Sequence, residues 1–161
     1  MAFRLGFLVL TLTLAAASAG AQQKIAFGDL DQDTTQPVQV TADQLAVNNA
    51  DGTAVFSGNV IVVQGEMKLA AAEVKVTYGT EKNDIESLVA SGGVTVTNLG
   101  DAAEAQEAVY TIDSGVIELA GDVLLTQGGS AMAGQKLTIN LKDGTGVMEG
   151  RVTTTFQPGG D

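Results

Sequence analysis

The side chains that carry most enzyme chemistry are missing from this sequence or stand apart in it. There is no His and no Cys. Without His the usual general base near neutral pH, the Ser-His-Asp arrangement and most zinc sites are gone. Without Cys there is no thiol nucleophile, disulfide framework or cysteine-ligated zinc. No G-x-S-x-G elbow, P-loop or G-x-G-x-x-G fingerprint occurs. Carboxylates remain. Asp113, Asp122 and Asp143 are the ones a calcium ion would use, but each lies in a turn, where Asp serves local hydrogen bonding. A carboxylate pair for glycoside hydrolysis is an alternative that spacing alone leaves open, although a chain with no Trp and two Tyr is poorly supplied for stacking sugars. The expectation is a binding protein, not an enzyme, with no cofactor and no metal.

Charge and the first residues narrow what is bound and where. The formal net charge of −11 repels phosphate backbones and argues against nucleic acid. The acidic residues are spread along the chain, as on a solvated surface. Residues 1–21 have the layout of a cleaved signal peptide: Arg4, an apolar run from Leu5 to Leu14, then the small-residue tract ending Ala19-Gly20-Ala21. Cleavage is expected before Gln22, with the bond before Gly20 as the alternative. The apolar run is too short to span a hydrocarbon core of about 30 Å. The absence of Cys rules out lipid attachment at the cleavage point. A soluble periplasmic location follows as an expectation. The remaining divisions are a flexible segment 22–36, one domain over 37–156 and a tail 157–161.

The domain is repetitive. Four segments place a glycine ahead of an alternating apolar pair: Phe56-Ser57-Gly58-Asn59-Val60-Ile61-Val62, Ala90-Ser91-Gly92-Gly93-Val94-Thr95-Val96, Leu119-Ala120-Gly121-Asp122-Val123-Leu124-Leu125 and Met148-Glu149-Gly150-Arg151-Val152-Thr153-Thr154. The glycines are 34, 29 and 29 residues apart. A second landmark keeps the same period. Small residues at Ala42, Ala71, Ala105 and Gly134 are each followed, at plus three and plus five, by inward-type residues such as Leu45 and Val47 or Leu137 and Ile139. Asp51-Gly52, Ser114-Gly115 and Asp143-Gly144 then supply hairpin turns, where glycine takes positive φ at little cost. The second unit has a longer turn, Gly79 to Asp84, which accounts for the spacing of 34.

Within each unit the apolar residues alternate with period two, the mark of strands with one buried face. Parity changes between Ala71 and Val74, so a strand that keeps its apolar side inward must bulge or bend there. Ala102 to Val109 falls at a strand position of the repeat and is assigned as strand. One hairpin cannot bury its face, whereas four stacked units enclose a continuous apolar interior. The fold class is therefore all-β, an open twisted jelly roll of about four antiparallel hairpin repeats.

The expected lipid-binding interior is Val40, Leu45, Val47, Phe56, Val60, Val62, Leu69, Val74, Val76, Leu88, Val94, Val96, Tyr110, Ile112, Leu119, Val123, Leu125, Leu137 and Ile139, with Val152 at its end. Any one of these is also what a plain core requires; the lipid reading belongs to the set. A stack of repeats has two ends, so the first strand, with Val38 and Val40, and the last, with Val152, Thr154 and Phe156, are expected to be assembly edges open to strand addition.

Val38-Gln39-Val40-Thr41-Ala42-Asp43, the segment Phe56 to Gly65 and Met67-Lys68-Leu69-Ala70-Ala71 together resemble the OstA-like family over about residues 37–156. Ala72 departs from the pattern, since the family often has Asp after the small residue, as Asp43 is here. The resemblance implies a periplasmic carrier of lipopolysaccharide between an inner-membrane ABC exporter and an outer-membrane translocon, both contributing fold-related domains. It also implies lipid A acyl chains in the apolar groove and head-to-tail self-association through terminal strands. Two alternatives stand beside it: a docking module of the same fold without lipid carriage, and a secreted polysaccharide-active β-solenoid enzyme.

Overall fold

The computed structural model describes the backbone of Lys24–Ala26 and residues 34–80 and 84–157; the signal-peptide assignment falls outside these residues. The strands are β1 (Lys24–Ala26), β2 (Gln39–Thr41), β3 (Gln44–Asn48), β4 (Thr53–Gln64), β5 (Met67–Tyr78), β6 (Ile85–Asn98), β7 (Asp101–Thr111), β8 (Val116–Gln127), β9 (Ser130–Asn140), β10 (Thr145–Glu149) and β11 (Thr153–Thr155). They form one antiparallel sheet in the order β1-β10-β9-β8-β7-β6-β5-β4-β2, with β3 also on β4 and β11 also on β9. Ala102 to Val109 is strand, inside β7. The all-β assignment holds, and the sheet is open rather than closed into a barrel.

The sheet doubles over because β4, β6 and β8 each turn a corner at a repeat glycine, and β5, β7 and β9, paired between them, follow the bend. Registers shift between Ser57 and Val60 on β4, Ser91 and Val94 on β6, and Ala120 and Val123 on β8. At each corner two consecutive residues take positive φ: Gly58 and Asn59, Gly92 and Gly93, Gly121 and Asp122, Gly150 and Arg151. Facing each pair is the residue after the small one. A Cβ on Gly58 would come within 2.6 Å of Asp43 Oδ2, and one on Gly92 within 2.6 Å of the Ala72 Cβ. Polar corners are pinned by side chains: Asn59 Nδ2 donates to Asp43 Oδ2 and Gln106 Nε2 to Asp122 Oδ2, each at 2.9 Å. The departure at Ala72 has its counterpart here, because Gly93 holds the position of Asn59 and offers no side chain to pair with a carboxylate. The corners divide the strands into two sheet halves whose inner faces pack on each other.

β2 and β3 cover β4 on either side of its corner at one end of the stack, and β10 and β11 cover β9 at the other. Lys24–Ala26 pairs with the outer side of β10, opposite Val147, Gly146 and Thr145. The C-terminal edge is thus open along β11 but occupied along β10.

Candidate functional site: the cleft between the sheet halves

Successive turns lie along two lips of the folded sheet, and the buried apolar interior lies between the sheet halves. Its wall is set by alternation. In β4 Val60 and Val62 are buried and Ile61 and Val63 less so; in β8 Ile117, Leu119, Val123 and Leu125 are inward. Residues directly opposite on paired strands share a face, so Val62, Leu69, Val96, Ala103, Leu125 and Met132 form one continuous row across five strand pairings. The second half builds its row from Val76, Leu88, Tyr110, Ile117 and Ile139.

Most of the expected interior is buried: Val60, Val62, Leu69, Val74, Val76, Leu88, Val94, Val96, Tyr110, Leu119, Val123, Leu125, Leu137 and Ile139. Val40, Phe56 and Ile112 are partly buried against this cluster. Leu45 and Val47 differ, at 53% and 61% exposed. They lie opposite Phe56 and Ala54 and share their inward face, but β3 ends the stack and nothing among the described residues covers it. Val152 is likewise exposed at the other end, and Phe156 is 69% exposed. The edge residues Val38, Val40 and Thr154 are half-buried. Apolar side chains are therefore offered at both ends of a buried apolar interior. Asp113, Asp122 and Asp143 lie in separate turns and corners: the Asp113 carbonyl accepts from Lys142 Nζ, Asp122 from Gln106, and Asp143 Oδ1 from the Thr145 amide at 3.0 Å.

The expected set omits several wall residues. Ile117, Leu141, Met67, Met132 and Met148 are buried, as are small residues such as Ala103 and Ala108. Ile117 was within reach of the alternation that includes Leu119. Polar wall residues were missed too: Gln64 and Asn98 are 1% and 3% exposed. Gln64 Oε1 accepts from the Tyr110 hydroxyl at 2.7 Å, and Gln64 Nε2 lies 2.9 Å from the carbonyl oxygens of both Thr34 and Gln36. Gln64 ends β4 on one lip and Tyr110 belongs to the other half, so the contact ties the halves together. Thr34 also lies over the opposite lip, its Cγ2 3.4 Å from where a Cβ on Gly115 would be. Residues 34–36 are a strap across the mouth of the cleft. Burial pushes the Tyr110 phenol up from 10.0 to about 12.

The wall is mainly aliphatic, and among the described residues no group of three or more Cys, His, Asp or Glu is placed to hold a metal ion. The chain is 29% identical over 140 residues to the lipopolysaccharide export system protein LptA of Escherichia coli (strain K12), covering 83% of this chain and 76% of that protein. It is 26% identical over 159 residues to LptA of Haemophilus influenzae, covering 92% and 88%. The crystal structure of LptH, described as the LptA homologous periplasmic component of the lipopolysaccharide transport device of Pseudomonas aeruginosa, superposes with a TM-score of 0.71 at 20% identity, covering 79% of this chain and 99% of that one. It shares the fold described above. The model of the family described as LptA/(LptD N-terminal domain) LPS transport protein matches residues 39–145, and the chain belongs to that family.

Proposed function

We propose that this chain is a periplasmic carrier that holds the acyl chains of lipopolysaccharide, the lipid A portion, between its sheet halves, and that it forms part of a bridge from the inner-membrane ABC exporter to the outer-membrane translocon. The observation that carries the reading is the apolar interior with apolar side chains exposed at both ends: Leu45 and Val47 at one, Val152 and Phe156 at the other. The inner faces pack on each other, so acyl chains enter as the halves part. Wall contacts are then exchanged for contacts with lipid, one apolar environment for another. Each methylene kept from water contributes about 0.8 kcal/mol, so several partly sheltered chains suffice without charged contacts.

The bridge rests on unlike ends. β2 and β3 form one terminal edge and β11 the other, and unlike edges joined head to tail make an open chain of molecules rather than a closed pair. Fold-related domains of the exporter and translocon would add at the same edges. Export through a cleaved signal peptide places the chain in the compartment between the membranes.

Carriage is tested with Phe56→Asp, a charge at the partly buried mouth of the interior. Lipopolysaccharide retained by the purified protein should fall by more than the unfolding midpoint drops. Equal losses in both would return Phe56 to an ordinary core role. A wild-type protein that retains no lipopolysaccharide while docking to the membrane components would favour the docking module.

A further inference from the structure

The last row of one sheet half, at the lip of the cleft, is polar where the rows behind it are apolar. Gln64, Met67, Asn98, Asp101, Gln127 and Ser130 stand opposite one another in turn across five strand pairings, each residue the first or last of its strand. Opposite residues share a face, and this face is the inner one, since Gln64, Met67 and Asn98 are buried and the other three half-buried. Gln64, Asn98 and Gln127 each come six residues after a corner glycine, at 58, 92 and 121. The fold therefore repeats one carboxamide on alternate strands, about 10 Å apart. Gln64 holds Tyr110 and the strap, and Gln127 Nε2 donates to Asp101 Oδ2 at 2.9 Å. Asn98 differs from both: it is 3% exposed, and among the described residues neither its Oδ1 nor its Nδ2 has a hydrogen-bond partner.

A buried amide with both ends unsatisfied disfavours the closed cleft, because its desolvation is not compensated. The cost is removed when the halves part and a group that both accepts and donates meets it. We propose that this row, with Asn98 at its centre, is the site that takes the neutral polar collar of the lipid, the hydroxyl and carbonyl groups where acyl chains join a saccharide. The proposal rests on the lipid-carrier reading and adds to it a second, polar subsite. A carboxamide offers one acceptor and two donors, which suits hydroxyls and ester or amide linkages. Phosphate suits the row poorly: it contains no Lys or Arg, and Asp101 is its one ionisable member. Behind Asn98 lie Val96 and Val94 on the same face of β6, so acyl chains running inward from a collar held at Asn98 meet the apolar wall at once.

The test compares Asn98→Leu, which keeps size and removes both polar atoms, with Asn98→Ser, which keeps a hydroxyl. Two probes are used on the full mature chain: purified lipopolysaccharide and a fluorescent saturated fatty acid of matching chain length. Asn98→Leu should fold with stability equal to or above wild type and lose lipopolysaccharide affinity by about three- to tenfold, with fatty-acid binding unchanged. Asn98→Ser should fall between it and wild type for lipopolysaccharide. If Asn98→Leu leaves both affinities unchanged, or lowers both equally, the row is no collar site and the proposal falls while lipid carriage stands. A wild type that takes up neither probe overturns the carrier reading, and the row with it.

Discussion

The hydroxyl of Tyr110 on β7 donates to Oε1 of Gln64 at the end of β4, 2.7 Å away, and joins the two sheet halves through side chains 46 positions apart in sequence. The same glutamine contacts the carbonyls of Thr34 and Gln36, so one buried side chain holds the halves together and the strap across them. Replacing Gln64 with Leu leaves the buried Tyr110 hydroxyl without this acceptor and should cost about 1–3 kcal/mol. Tyr110→Phe alone should cost less, because Gln64 keeps its contacts with the strap. The double variant should be less destabilised than the sum of the two, with a coupling of about 0.5–3 kcal/mol. Urea unfolding midpoints of the four proteins measure it; strict additivity would show that the contact carries no energy.

The same burial makes a prediction about alkaline pH. Tyr110 is raised from 10.0 to about 12 by desolvation. Between those values the unfolded chain has lost the phenolic proton and the folded chain keeps it, so stability falls as pH rises. The contribution is fully present below pH 10 and is lost as pH passes through about 12. Absorbance titration of the tyrosinates should show a late component near pH 12, and Tyr110→Phe should remove it together with that part of the stability loss.

The corners separate two sources of strain. Gly58 has φ of 80° and would place a Cβ 2.6 Å from Asp43 Oδ2, whereas Gly93, with φ of 86°, has nothing within 4 Å of that position. Gly93→Ala should therefore carry the left-handed backbone cost alone, about 1–2 kcal/mol. Gly58→Ala adds a clash and should cost more, about 2–4 kcal/mol. Thermal unfolding ranks them, and equal losses would mean that Asp43 moves aside freely.

Much of this was legible in the sequence, for physical reasons that differ from residue to residue. Alternation gives away any strand whose one face is buried, so β4 to β9 and their inward sides could be read from Val60, Val62, Leu69 and Leu119. The corner glycines recur because each bend needs the same backbone, and recurrence survives without a structure. Lys24–Ala26 was not legible: three residues are too few to show a period, and their partners are Thr145 to Val147. Leu45 and Val47 have the right parity but no covering strand, and parity says nothing about where a stack ends. Gln64, Asn98 and Gln127 were hidden by their polarity, since a search for apolar residues passes over inward amides. Their shared offset from the glycines was the available signal.

The terminal strand makes a prediction about assembly. In an antiparallel strand the N–H and C=O of one residue point to the same side and alternate along the chain. Thr153 and Thr155 of β11 therefore face one way and Thr154 the other. Proline removes one donor. Of Thr154→Pro and Thr155→Pro, the one that removes the outward donor should abolish concentration-dependent growth in mass by size exclusion while leaving the fold intact. The other removes a bond to β9 and should loosen the strand. A wild type that stays monomeric at high concentration, and crosslinks through β11 to no partner in cells, would leave a freely diffusing carrier.

The central claim is that lipid occupies the space between the sheet halves, and the most direct measurement is photo-crosslinking from within it. A photoreactive residue at Leu125, fully buried in the wall, is compared in living cells with one at Leu124, its outward neighbour, which is 37% exposed. The expected result is a lipopolysaccharide adduct from Leu125 and little or none from Leu124. No adduct from Leu125 in a folded protein, or equal adducts from both positions, would contradict carriage between the sheets.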